Sequence, residues 1–171
     1  MLEQWTLLSC KDIVFHSDID NWSKTTSVLN ERIIGKRYLL FLIDSEDGER
    51  FGYFINPKIE DRYDQWQKVN KKSFEFNLQS NKRLIEPTKF ECKMIQYGYH
   101  LEQDSKPMLI SLGDIRIYKE EFHQKSCCFQ NENNYQYHSL TNALCGKINN
   151  SNNDGDHFSI KRIVVIQMGK L

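Results

Sequence analysis

Cys127 and Cys128 stand side by side, with His123 and Lys125 just upstream. Vicinal thiols can hold a soft metal or take part in thiol-disulfide exchange, and a nearby cation or imidazole favours the thiolate that either role needs. Adjacent residues of a strand, however, point to opposite faces, and free cysteine usually behaves as a small buried hydrophobe. Cys127 and Cys128 are therefore candidate redox residues whose ordinary role is structural. Cys10, Cys92 and Cys145 complete an odd count of five, irregularly spaced and without a C-x-x-C pair. No disulfide framework is expected, and reduced thiols are the default.

The remaining chemistry-bearing residues are scattered. His16, His100, His123, His138 and His157 show no i, i+4 pair that would put two ligands on one helix face, so no zinc site or other metal is expected. His123 with Cys127 or Cys128 lacks a second ligand pair. Two acidic turns, Asp44 to Glu49 and Asp154-Gly155-Asp156, offer oxygen ligands but not the twelve-residue calcium loop, and the first reads as a hairpin turn. Asp18 and Asp20, beside Ser17 and Ser23, read as caps of a helix that follows. Lys68, Lys71 and Lys72 near Trp66 are opposed by Glu60, Asp61 and Asp64, which suits a solvated linker better than a nucleic-acid reader. Gly113 before Asp114 lacks the glycines and the Lys-Ser/Thr pair of a phosphate cradle. Nothing here assembles a catalytic set, so the chain is read as non-enzymatic, with no cofactor.

Composition narrows the class further. The chain has 171 residues, with 23 Lys+Arg against 23 Asp+Glu and 12% aromatic residues. Zero net charge argues against non-specific binding to nucleic acid or an anionic membrane. The aromatic content is too high for a disordered chain. The longest apolar run, Tyr38 to Ile43, is far shorter than the roughly 20 residues a membrane helix needs. The N-terminus has no basic region followed by a long apolar stretch and a cleavage site, which points to the cytoplasm. Residues 1–12 read as a short leader and residues 13–171 as one domain.

The elements that would position these residues are mostly strands. Lys36 to Asn56 reads as a buried hairpin, with Asp47-Gly48 in the turn. Ser73-Phe74-Glu75-Phe76-Asn77-Leu78 alternates strictly and reads as a half-buried strand with Phe74, Phe76 and Leu78 on one face. Further strands are expected over Phe90 to Tyr97, over Met108 to Leu112 and Ile115 to Tyr118 on either side of a Gly113-Asp114 kink, and in one long closing strand from Phe158 to Met168. Asn149 to Asp156 reads as a solvated loop. Ser23 is placed to cap a helix from Lys24 to Ile34, and Asn56-Pro57 with Ile59, Tyr63 and Trp66 reads either as a short second helix opened by Pro57 or as an irregular loop. The fold class is mainly β (α+β): a two-sheet antiparallel β-sandwich with one or two short peripheral helices.

In this order the pieces resemble the TLDc domain of oxidation-resistance and nuclear-receptor-coactivator-like proteins. Ile13 to Ser23, with Asp20 and Ser23, is similar to the family's opening, and Leu39 to Asp44 with Phe51-Gly52-Tyr53 to its hairpin. Ser73-Phe74-Glu75-Phe76-Asn77-Leu78 resembles its Ser-Phe-Leu-Phe-Ser-Leu strand, Gly113-Asp114 its turn, and the stretch from Phe158 its closing strand. Asn21 and Tyr53 stand where the family has glycine, and the acidic-aromatic ending is missing. These departures, with the asparagine-rich loop, mark a divergent member of protist type. The resemblance implies a non-enzymatic β-sandwich linked to protection against oxidative damage and to the peripheral sector of the vacuolar-type proton pump. The expected partners are therefore proteins, bound by a monomer. A thiol antioxidant or redox sensor using Cys127 or Cys128 is the alternative.

Overall fold

A computed structural model of the chain describes residues 1–80, 84–129, 144–145 and 156–170. The helix α1 (Leu2–Thr6) leads into β1 (Ser9–His16), and α2 (Leu29–Ile33) precedes the hairpin β2 (Leu39–Ser45) and β3 (Arg50–Ile55). There follow β4 (Gln65–Gln67), β5 (Phe74–Gln79), β6 (Thr88–Glu91), β7 (Tyr99–Leu101), β8 (Met108–Leu112), β9 (Ile115–Tyr118), β10 (Ser126–Cys128), β11 (Asp156–Phe158) and β12 (Ile160–Gly169). They form two antiparallel six-stranded sheets, in the orders β1-β12-β2-β3-β5-β6 and β11-β10-β9-β8-β7-β4. The protein is mainly β, as its alternating and continuous apolar runs imply. Among the described residues, no helix is long and apolar enough to cross a membrane.

Two apolar clusters hold the sheets. The larger lies between them and takes Phe41, Phe51, Tyr53 and Val165 from the first sheet with Leu101, Ile110, Leu112 and Ile117 from the second. The smaller lies on the outer face of the first sheet, where Leu40, Phe54, Phe74, Phe76 and Met168 are covered by Leu2, Trp5 and Leu8. Trp5 meets Phe74 edge-on with ring centroids 6.2 Å apart, a favoured aromatic geometry.

Residues 1–12 pack against the first sheet. Trp5 seals a hydrophobic face, and β1 already pairs with β12 at Ser9 and Cys10. The strand β5 is buried on both faces, because α1 covers the face that its phenylalanines present. Gly113 and Asp114 form the turn of a tight hairpin between antiparallel β8 and β9, with Gly113 at φ +56°. The closing stretch is two strands: β11 belongs to the second sheet and β12 to the first, with Ser159 at the crossover. The strand expected over Phe90 to Tyr97 ends at Glu91, and a 3-10 turn (Ile95–Tyr97) follows.

The expected helices are also shorter than periodicity suggested. Only Leu29–Ile33 is α-helical in the first, and Ser27 rather than Ser23 supports its start, its Oγ accepting from the Leu29 N–H at 3.2 Å. Thr25, Thr26 and Ser27 disfavour helix, and Thr25 N–H donates instead to Glu121 Oε2 at 2.8 Å. No helix forms after Pro57: the chain runs irregularly, buries Ile59 in the core and enters β4. The solvated loop expected from Asn149 lies outside the described residues up to 155.

Candidate functional site

The family-motif residues serve the fold and do not converge on one centre. Asp20 Oδ2 accepts from the His16 N–H at 2.9 Å, closing a turn rather than capping a helix, and Arg32 reaches its other oxygen at 3.5 Å. The Ser23 carbonyl accepts from the Glu121 N–H at 3.0 Å. Phe51 and Phe158 meet edge-on at 5.0 Å across the interior, and buried Ser73 accepts the Asn56 N–H through Oγ at 3.0 Å. Phe74 lies in the outer cluster. A side chain at Gly52 would overlap the Phe41 carbonyl oxygen, and one at Gly113 would run into Glu75 and Tyr53.

Glu75 is the unexpected member of this set. It is 2% exposed, and its Oε1 accepts the Asp114 N–H at 2.9 Å. Beside it, the Tyr53 hydroxyl donates to Cys92 Sγ at 3.5 Å. Burial pushes the Cys92 thiol up, and the charges of Glu75 and Asp114 push the same way. Cys92 is therefore held as a thiol, the wrong form for a nucleophile. The strict alternation of β5 separates Glu75 from the phenylalanines and was the available signal for an inward polar residue.

Asp44, which opens the first acidic turn, is engaged by two arginines. Arg50 Nε donates to Oδ1 at 2.6 Å, and Arg162 Nε donates to Oδ2 at 3.0 Å. Burial alone would raise this carboxyl, but the hydrogen bonds and charges of the two guanidiniums outweigh it and hold the pKa below the ordinary value. A depressed carboxylate pKa contributes stability above the unfolded value, near 3.9, which is lost as pH falls through the lower folded one. Both arginines are more than a third exposed, so solvent screening limits the effect. Asp44→Asn should cost about 1–2 kcal/mol at neutral pH. In urea titrations the gap to the parent should close below about pH 4, and a gap independent of pH would refute the pairing.

The two candidate redox residues part company. Cys128 faces the interior and is joined in a disulfide to Cys145, with Cα atoms 6.5 Å apart, against the expectation of reduced thiols. The spacing gave no sign of this, because the partners meet only through tertiary packing. Cys127 is buried on the opposite face and takes no part in that bond.

That opposite face carries a row of polar and aromatic groups. In the register of the second sheet Trp66 pairs with His100, His100 with Ser111, Ser111 with Arg116, Arg116 with Cys127, and Cys127 with His157. Directly opposed residues share a face, so indole, imidazole, hydroxyl, guanidinium, thiol and imidazole lie in one row across six strands. The alternate row of Tyr99, Leu112, Ile115 and Cys128 points into the core, which sets this row outward. The Trp66 and His100 rings lie 5.6 Å apart, and the Arg116 guanidinium sits 4.2 Å over the Phe129 ring.

A concavity of about 380 Å³ opens over the row, with Glu102, Pro107, Tyr118 and Gln124 on its rim. The rim is braced from beneath. Asn30 Nδ2 donates to the Glu102 carbonyl at 2.9 Å, and Lys119 Nζ donates to the carbonyls of Asp104 and Lys106 at 2.6 and 2.9 Å. Burial lowers the Lys119 pKa, and nearby Asp104, Glu102 and Glu121 oppose that shift. Among the described residues no group of three or more His, Cys, Asp or Glu side chains is placed to hold a metal ion.

These features define the class: a two-sheet antiparallel β-sandwich with a polar and aromatic row on one outer face. No family model matches the chain, and no curated protein matches it.

Proposed function

We propose that the chain is an interaction module of TLDc type, non-enzymatic, cytoplasmic and monomeric, which presents a rigid sandwich surface to a larger protein assembly. The observation that carries this is the order of the family's motifs along a chain folded as two antiparallel sheets with short peripheral helices. Under this reading the module serves protection against oxidative damage and binds peripheral-sector subunits of the vacuolar-type proton pump. Binding energy would come from a few aromatic or arginine anchors on an otherwise ordinary surface. The test is affinity purification from the native cell with identification of the bound chains. Pump subunits should be recovered specifically, and their absence would overturn the pump assignment.

A second reading, a thiol antioxidant, draws support from the place of Cys127 between Arg116 and His157 on neighbouring strands. A neighbouring guanidinium favours a thiolate, and burial of Cys127 opposes it. With Cys128 bonded to Cys145, this reading narrows to Cys127 alone. Peroxide consumption should then disappear in Cys127→Ser, and unchanged consumption in that variant would dismiss it.

A further inference from the structure

The row on the second sheet is uneven in a way that makes a receptor. Trp66, His100 and Arg116 are long or broad side chains, but Ser111 between His100 and Arg116 is short and fully buried. Two strand spacings separate His100 from Arg116, about 10 Å at the backbone. The short serine between them leaves a notch between an imidazole and a guanidinium, and its own hydroxyl donates to the Ile115 carbonyl at 3.3 Å. The concavity of about 380 Å³ contains this notch, a size within the range of ligand sites.

Two observations indicate what the notch takes. Nδ1 of His100 is buried and has no hydrogen-bond partner among the described residues, a state that costs free energy unless a ligand supplies the missing partner. Arg116 brings a planar fork of donors, whose best complement is a carboxylate or a phosphate. Glu102 on the rim repels a second negative charge, which favours a singly charged carboxylate over a phosphate or an acidic run.

We propose that this notch binds the carboxylate of an aspartate or glutamate side chain presented by an extended segment of a partner polypeptide. Arg116 grips the carboxylate, His100 Nδ1 completes its hydrogen bonding, and Trp66 forms the apolar wall beside it. The proposal rests on strand register and side-chain chemistry, so it stands or falls independently of the TLDc assignment and of any pump subunit.

The test uses the whole chain, with the Trp66 indole NMR signal as the readout. The probe is the peptide acetyl-Gly-Ser-Glu-Ser-Gly-amide, compared with its glutamine counterpart and with inorganic phosphate. The glutamate peptide should shift the signal saturably, and the glutamine peptide should bind about tenfold more weakly or not at all. Arg116→Gln should lose about tenfold in affinity, and Arg116→Lys should fall between, since it keeps the charge but not the fork. Unchanged backbone spectra in both variants would establish that the fold is intact. His100→Asn, a second variant at the same notch, should also weaken the glutamate peptide. Equal binding of the glutamine peptide, tighter binding of phosphate, full affinity in Arg116→Gln, or no saturable shift would each overturn the proposal.

Discussion

Gly52→Ala should cost more than about 4 kcal/mol, enough to leave the protein largely unfolded when expressed at ordinary temperature. Gly52 lies in the middle of β3, paired with Leu42 on one side and Phe76 on the other. A Cβ there would overlap the Phe41 carbonyl oxygen and press on the Phe76 ring. A ring can turn aside, but this carbonyl cannot. It belongs to β2, which is pinned between β12 and β3 along most of its length. Relief therefore needs the central hairpin to spread, which would break pairing in the first sheet and open the core around Phe41 and Phe51. Urea unfolding followed by tryptophan fluorescence measures the loss, and a midpoint close to the parent's would show that the hairpin has slack. The glycine of the Phe-Gly motif is thus required by close backbone approach, not by a turn.

How much of this was legible in the sequence follows from the range over which each feature is decided. The hairpin from Lys36 to Asn56 was legible because two apolar runs and an Asp-Gly turn are local signals, and the structure places β2 and β3 there. That Phe74 and Phe76 share a face was equally legible. Which body covers that face was not, because Trp5 lies far away in sequence and its place beside β5 depends on the non-local pairing of β1 with β12. The crossover at Ser159 is not legible for a related reason. Phe158 and Ile160 carry the same apolar pattern in either sheet, and only pairing with Ser126 and Ser45 respectively separates them. The Pro57 segment carried helix-like punctuation, but the burial of Ile59 and the pairing of Gln65–Gln67 with β7 prevailed.

The outward row was the least legible feature. Its members come from six strands and share no motif, and each in isolation has an ordinary role. Ser111 and Arg116 flank the Gly113-Asp114 turn, so the hairpin alone aligns those two. His100, Trp66, Cys127 and His157 join them only through the registers of the other pairings. Periodicity reports which residues share a face within one strand, and it is silent about which strands are neighbours.

Cys145→Ala should lower stability by about 3 kcal/mol, the chain-entropy value for a loop of this length. The bond to Cys128 spans a sequence separation of 17, so it removes a sizeable freedom from the unfolded chain. Leu144 and Cys145 are both fully buried, and the Leu144 carbonyl accepts from Asn77 Nδ2 at 2.6 Å, so the bond also fixes a short buried segment against β5. Reductant should destabilise the parent by a similar amount and leave Cys145→Ala unaffected, because both remove the same constraint. Equal urea midpoints for the parent with and without reductant would refute the bond's contribution. The outcome also bears on localisation, since structural disulfides are rare in the reducing cytoplasm. Alkylation of free thiols in freshly lysed native cells, read by mass, decides the matter: a protected Cys128 and Cys145 pair would speak against the proposed cytoplasmic location. Free thiols at both positions would keep that location and leave Cys128 an ordinary buried thiol.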